Sequence, residues 1–136
     1  TDFDKALRSI RARFVLGLGF MGARPDHELA AYNVLVRRPG PVILMGATDL
    51  VFHLPDRFAI DLRPGDRFSL FPMAEVEGTS DGLVWPIDGL QMTPAGRTGT
   101  SNRVSDGRVR LALSGPGMLC LLPRKRLPQV LVALTG

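Results

Sequence analysis

In GARPDHELAAYNVL, residues 22–35, an arginine, a proline, an aspartate and a histidine stand directly before an apolar helical pattern. Pro25 suits the first turn of a helix, and the acids Asp26 and Glu28 suit its positive end. Arg37 suits the negative end of the same helix. The stretch therefore predicts a helix with charged groups gathered at its N-terminus.

Buried strands are predicted on both sides of this helix, FVLGLG over 14–19 and PVILMG over 41–46. A further helix is predicted over residues 2–12, because its apolar residues recur at i, i+3, i+4 and i+7. A helix–strand–helix–strand order is typical of an α/β layer with a parallel sheet. The first part of the chain is therefore predicted to be part of such a layer.

From about residue 49 onward the pattern changes to short apolar segments separated by turns rich in Gly, Pro, Asp and Ser. Turns at a spacing of about 8–12 residues favour an antiparallel β-sandwich or barrel-like domain. The boundary is predicted near residue 53, which divides the chain into 1–53 and 54–136. The predicted strands are LVFHL, RFAIDL, RFSLFPM, GLVWPI, GRVRLAL and MLCLLP.

Composition excludes several classes of protein. The chain has 136 residues, a formal charge of +4 and one cysteine, Cys120, so it has no internal disulfide framework and no multi-cysteine metal site. Nearly all of the 17 basic residues are arginine, which favours bidentate contacts with anions. No apolar run reaches about 18 residues and no signal peptide is recognisable, so we expect no membrane span and a cytoplasmic location. The basic cluster PRKR (123–126) is interpreted as a solvated segment, and no aromatic residues interleave with it to support nucleic-acid binding.

The start of the predicted helix is a candidate phosphate site. Its unpaired N–H groups and the helix dipole favour an anion, and Arg24 adds a full positive charge, with His27 as a further candidate contact. Asp26 would compete with that anion unless it binds Mg²⁺ or accepts a proton from an attacking hydroxyl. The alternative is that Asp26 only stabilises the helix end.

Two other segments carry candidate chemistry. In TDFDK, Asp2 could ligate a metal while Lys5 reaches a phosphate, since residues i and i+3 share a helix face; otherwise the acids only cap the helix. In GRTGTSN, Ser101 and Asn102 could hydrogen-bond a heterocycle, although such residues are also common in ordinary turns. Trp85 is predicted to be a core aromatic.

Three ordered motifs resemble those of the thiamine pyrophosphokinase family. TDFDKAL resembles the family's T-D-F-x-K-A-L segment, and GFMGARPDHELAAYNVL resembles its G-G-R-x-D-H-x-L-A-N helix start. FSLFPMAEVEGTSDGLVWPIDGLQM followed by GTSN resembles the pattern S-L-x-P, G-L-x-Y/W-P-L and S-N. The sequence departs from the family at Ala23 and Ala31, which stand where a glycine and often an asparagine occur.

The resemblance implies an α+β subunit with two lobes, a partial Rossmann-like catalytic layer that binds ATP over 1–53 and an antiparallel β-sandwich that binds thiamine over 54–136. It implies Mg²⁺ as cofactor, ATP and thiamine as substrates, and a homodimer whose sites are shared between subunits. The roles it implies are catalysis and metal binding for Asp2 and Asp26, ATP-phosphate contacts for Lys5, Arg24 and His27, and thiamine contacts for Ser101 and Asn102.

The family's N-terminal strands, with A-D-G-G-A and G-D-x-D-S segments, have no counterpart in this sequence, so we expect a fragment of about the C-terminal two-thirds of such an enzyme. A non-catalytic thiamine-binding or regulatory relative is the alternative. Neither nucleic acid nor membrane is an expected partner.

Overall fold

The computed structural model describes residues 14–19, 21–22 and 24–136. The helix predicted over 2–12 lies outside these ranges, and so do the candidate residues Asp2 and Lys5. The described elements are β1 (Val15–Leu18), α1 (Pro25–Arg37), β2 (Val42–Met45), β3 (Asp49–His53), β4 (Arg57–Asp61), β5 (Arg67–Pro72), β6 (Gly78–Asp81), β7 (Gly99–Arg103), β8 (Arg108–Leu113), β9 (Met118–Pro123), a 3₁₀ turn (Arg124–Arg126) and α2 (Leu127–Thr135).

The strands form a six-stranded sheet in the order β1-β2-β3-β9-β5-β7 and a three-stranded sheet in the order β4-β8-β6. β1 and β2 are parallel, as the sequence predicts for this pair, and the other pairs are antiparallel. β3 ends at the predicted boundary and pairs with β2 on one side and β9 on the other. One continuous sheet therefore crosses residue 53.

Helix α1 packs on one face of the six-stranded sheet. Its side chains Ala31, Val34 and Leu35 contact the sheet residues Val42 and Leu44. Successive side chains of a strand point to opposite faces, so the alternate residues of β2 face away from α1. This explains why every residue of β2 is buried.

The larger core lies between the two sheets and is closed by α2. Phe52 and Phe58, from opposite sheets, bring their ring centroids to 5.6 Å, and Val130 of α2 joins the same buried cluster. Cys120 is fully buried here and packs as a small hydrophobic residue. The fold is a mixed, sheet-rich α+β arrangement. Among the described residues, no helix is long and apolar enough to cross a bilayer.

Several local predictions were wrong. Segment 82–87, predicted as a strand, contains no strand, and its Trp85 is 55% exposed rather than in the core. Segments predicted as turns contain β6 and β7, which lie at sheet edges. β1 is mostly exposed instead of buried, and Arg126 of the basic cluster is buried. Edge strands are often short, polar or bulged, so β6 and β7 resemble turns in sequence.

The imidazole of His53 joins the end of β3 to the turn before β9. Its Nε2 accepts a hydrogen bond of 2.9 Å from the backbone N–H of Gly117. Burial lowers the pKa of His53, an effect that the carboxylate of Asp56 partly opposes. The neutral imidazole is therefore the form that the fold favours.

Because the folded pKa of His53 is lowered, its contribution to stability is present above the unfolded pKa of about 6.5 and is lost as the pH falls toward the folded value. The His53→Gln variant keeps a hydrogen-bond acceptor at this position but has no imidazole to titrate. We expect urea unfolding at pH 7.5, 6 and 5 to show a smaller pH-dependent loss in this variant than in the wild type. His27→Gln is the matched control, since His27 is exposed. Identical pH profiles for wild type and His53→Gln would contradict the assignment.

Candidate functional site

The carboxyl ends of β1 and β2 meet at one edge of the six-stranded sheet, because these strands are parallel. In α/β layers this edge is where ligands bind. The connection between β1 and α1 passes close to the end of β2. A Cβ added to Gly46, directly after β2, would lie 2.9 Å from Cε of Met21 in that connection. The N-terminus of α1 follows this connection, which places the predicted phosphate site at that edge.

Three predicted site residues lie together at the start of α1. Arg24 is the residue before the first turn, and its Nη2 donates to Oδ2 of Asp26 at 2.6 Å. Oδ1 of Asp26 accepts a hydrogen bond of 2.9 Å from the backbone N–H of His27. The Arg24 and Asp26 side chains are 69% and 62% exposed, so both are accessible to a ligand. Asp26 also stabilises the helix start, as the alternative interpretation requires.

The environment of Asp26 affects which chemistry it can perform. The hydrogen bond from the Arg24 guanidinium lowers the pKa of Asp26, and the backbone N–H of His27 acts in the same direction. The ionised carboxylate is therefore favoured while the pair with Arg24 is intact, and this form can bind a cation or accept a proton.

Two arginines that sequence reasoning missed hold the turn after β2 at this edge. Arg124 donates from Nη1 to the carbonyl of Gly46 at 3.0 Å and from its backbone N–H to the carbonyl of Thr48 at 2.9 Å. Arg67 forms an ion pair with Asp49. Both contacts join segments distant in sequence, so no local pattern could indicate them.

Ser101 and Asn102 lie on β7, the edge strand that is farthest from β1 in the sheet. Oδ1 of the buried Asn102 accepts hydrogen bonds from the backbone N–H groups of Trp85 and Arg103, at 3.1 and 2.8 Å. Its Nδ2 donates to the carbonyl of Trp85 at 2.7 Å. Asn102 therefore hydrogen-bonds both the N–H and the carbonyl of Trp85. The Trp85 indole is exposed, and the Arg103 guanidinium lies over it, 6.0 Å from the ring centroid.

Ser101 occupies a bulge in β7. Phe68 pairs with Asn102 and Leu70 with Gly99, so β7 has one residue more than β5 between these pairs. Ser101 has φ of 64°, a conformation that is uncommon for a residue other than glycine. Its backbone N–H donates to Oγ of the buried Ser69 at 2.9 Å, and its side chain is exposed.

No hydrogen bond or ion pair in the described part of the chain joins the residues at the start of α1 to Ser101 or Asn102. β1 and β7 are five strand spacings apart, which is about 24 Å at about 4.8 Å per spacing. Within the described ranges, no three His, Cys, Asp or Glu side chains could jointly hold a metal ion. The residues around Ser101 that sequence reasoning missed are Ser69 and Trp85, although both lie in the quoted motifs.

Comparison with known proteins places these features in a family context. No protein-family model matches the chain. Thiamine pyrophosphokinase 1 of Oryza sativa subsp. japonica is 32% identical over 106 residues, covering 72% of this chain and 40% of the rice protein. Thiamine pyrophosphokinase 1 of Arabidopsis thaliana is 29% identical over 126 residues, covering 80% of this chain and 47% of that protein.

The same likeness extends to the fold. The crystal structure of thiamine pyrophosphokinase from Bacillus subtilis matches with a TM-score of 0.72 at 21% identity, covering 90% of this chain and 59% of that chain. The chain spans less than half the length of the two plant relatives. By sequence and by fold, the chain is a homologue of the thiamine pyrophosphokinases, the family that its motifs predict.

Proposed function

We propose that the protein is a thiamine pyrophosphokinase, which transfers the pyrophosphoryl group of ATP to the hydroxyl of thiamine and releases AMP. The observation that carries this proposal is the exposed Arg24–Asp26 pair at the N-terminus of α1, within the motif that the sequence shares with the family. In this proposal residues 1–53 belong to a Rossmann-like layer for ATP, and residues 54–136 form the sandwich that binds thiamine.

The helix tip would hold the ATP phosphates. Attack on the β-phosphorus of ATP brings several negative oxygens together, which raises the energy of the transition state. Positive charges placed beside these oxygens lower that energy. Arg24 and the first N–H groups of α1 supply such charges, with His27 beside them and Lys5 as a further predicted contact. An incoming phosphate can attract Arg24 away from Asp26, which would free the carboxylate for its own role.

The predicted metal ligands are Asp2 and Asp26. Mg²⁺ is usually held by one or two carboxylates together with substrate phosphates and waters. An exposed, ionised Asp26 fits this chemistry as one ligand, whereas Asp2 lies outside the described residues. The ion would neutralise phosphate charge when bound.

The thiamine end of the site would lie on β7. Exposed Trp85 offers an aromatic surface to the flat rings of thiamine, and Ser101 offers a hydroxyl beside it. Arg103 lies over the indole, so the cationic vitamin would take the free part of that surface. Direct contact between thiamine and Asn102 stays a prediction, and the amide of Asn102 already makes three hydrogen bonds.

We infer a homodimer with shared sites, because β7 lies five strands away from β1 in the sheet and no hydrogen bond or ion pair among the described residues joins Ser101 or Asn102 to the start of α1. Co-expression of Asp26→Asn and Trp85→Ala chains tests this inference. Random pairing makes half of the dimers mixed, each with one intact site, so about a quarter of the wild-type activity should return. Activity no higher than that of either variant alone would place each site within one chain.

Because this sequence by itself is expected to be incomplete as an enzyme, activity is tested by incubating the full-length protein with ATP, Mg²⁺ and thiamine and measuring AMP and thiamine diphosphate by chromatography. We expect equimolar formation of the two products. A folded protein that forms neither would reject the proposal. The chain has a single tryptophan, Trp85, so quenching of its fluorescence by thiamine without AMP formation would favour the non-catalytic thiamine-binding relative.

Replacing Ser101 by glycine should have opposite effects on stability and binding. Glycine adopts positive φ without steric cost, so Ser101→Gly should stabilise the fold by about 1 kcal/mol. Loss of the hydroxyl should weaken thiamine binding by about fivefold. Urea unfolding and a titration of Trp85 fluorescence with thiamine measure the two effects. Lower stability, or unchanged thiamine affinity, would contradict the assignment of a functional, strained Ser101.

A further inference from the structure

We propose that Ser69 and Asn102 are positioning residues, whose buried side chains set the places of the Ser101 hydroxyl and the Trp85 indole at the thiamine site. This inference rests on the proposed function for its ligand. The arrangement of the four residues is nevertheless a property of the ligand-free fold and can be tested without thiamine.

Burial makes these two side chains unusual. The buried polar or charged residues in the described part of the chain are Ser69, Asn102 and Arg126. Burying a polar group is unfavourable unless it is hydrogen-bonded. The hydrogen-bond partner of each buried group therefore indicates which part of the chain that group holds in place. Arg126 contacts the partly buried Asp66, whereas Ser69 and Asn102 bond to the backbone of exposed residues next to the sheet edge.

Asn102 determines where Trp85 lies. Segment 82–87 contains no strand, so Trp85 has no regular ladder to hold its backbone. The Asn102 amide accepts from the Trp85 N–H and donates to the Trp85 carbonyl. These are the two backbone hydrogen bonds that a neighbouring strand would otherwise make. Removing this amide would leave the indole attached to a less constrained loop.

Ser69 determines the direction of Ser101. A bulge reorients the side chain of its extra residue, and positive φ costs about 1 kcal/mol or more for a residue with a Cβ. The hydrogen bond from the Ser101 N–H to Oγ of Ser69 stabilises this conformation. Without it, we expect the bulge to relax and the exposed hydroxyl to turn away.

The first test uses Trp85 as the chain's single fluorescent tryptophan, without any ligand. In Asn102→Ala, the acrylamide quenching constant should rise about twofold and the steady-state anisotropy should fall, because the indole gains freedom. Asn102→Asp keeps an acceptor for both N–H groups but places a carboxylate oxygen against the Trp85 carbonyl, so it should also free the indole; it replaces the alanine variant if that variant does not fold. Ser114→Ala is the matched control, because it removes another serine oxygen that accepts a backbone hydrogen bond, from Glu77 at 3.1 Å. Wild-type quenching and anisotropy in a folded Asn102→Ala would overturn the role of Asn102.

The second test measures ligand binding. Ser69→Ala should weaken thiamine binding about fivefold and leave ATP binding unchanged, and Ser69→Thr, which keeps the oxygen, should restore most of the affinity. Wild-type thiamine affinity in Ser69→Ala, or equal losses for thiamine and ATP, would overturn the role of Ser69. Absence of any thiamine response in the wild type would instead reject the proposed function, and the ligand-free comparison would still decide whether Asn102 positions Trp85.

Discussion

Arg126→Met should lower the melting temperature by about 10 °C at neutral pH, because it leaves a buried carboxylate without its partner. Arg126 donates from Nε to Oδ2 of Asp66 at 2.7 Å and from Nη2 to Oδ1 at 3.1 Å. The two side chains are 7% and 9% exposed. This bidentate pair joins the turn before α2 to the loop between β4 and β5.

Differential scanning calorimetry measures the effect, and Arg24→Met is the matched control. Arg24 also pairs with an aspartate, but that pair is exposed, and exposed pairs contribute little to stability. We therefore expect the control to shift the melting temperature by no more than about 2 °C. Equal shifts of the melting temperature in the two variants would show that burial does not make the Arg126–Asp66 pair more stabilising than the Arg24–Asp26 pair.

The effect of Arg126→Met should also depend on pH in a defined direction. Hydrogen bonding from Arg126 lowers the pKa of Asp66 in the folded protein. The stabilisation is therefore present above the unfolded pKa of about 3.9 and is lost as the pH falls through the folded value. The difference in melting temperature between wild type and variant should narrow at about pH 3. An equal difference at pH 3 and pH 7 would contradict this assignment.

Asp26→Asn should lower the rate of AMP formation at least about 100-fold while shifting the melting temperature by less than about 5 °C. The substitution removes a negative charge next to the proposed phosphate site. It keeps a side-chain oxygen that can accept the N–H of His27, so the helix start should be preserved. Steady-state assays with ATP and thiamine measure the rate.

Asp61→Asn is the matched control for Asp26→Asn. Asp61 is also an exposed aspartate paired with an arginine, Arg108, but it lies on the three-stranded sheet. We expect its activity to remain within about twofold of wild type. Full activity in Asp26→Asn would remove Asp26 from the site, and a large fall in its melting temperature would make its role structural.

The local sequence pattern was sufficient to predict the helices and strands whose buried residues recur at a regular spacing or form one continuous run. Pro25 and the apolar spacing after it predict α1, and the structure begins that helix at Pro25. The continuous apolar run of β2 and the alternation in β8 also correspond to observed strands. α1 buries one stripe and β8 one face, so their hydrophobic period is visible in the sequence, whereas β2 is buried on both faces and is visible as a continuous apolar run.

Local pattern failed where a contact with a distant segment decides the structure. Gly99–Arg103 has the composition of a turn, and it is a strand because β5 provides a partner. The backbone of the exposed Trp85 is held by the amide of Asn102, which is 17 positions away in the sequence. Arg126 is buried because Asp66 neutralises it.

The sequence by itself determined the helix with charges at its tip, the parallel strand pair around it, and the motifs that indicate a thiamine pyrophosphokinase. Only the tertiary structure decided that Ser101 lies on the edge strand β7 with Trp85 held beside it, and that Arg24 and Asp26 follow the carboxyl end of β1. The physical reason is the range of the interactions. Helix capping and side-chain periodicity act within a few residues, whereas strand order and buried hydrogen bonds join residues that are far apart in the chain.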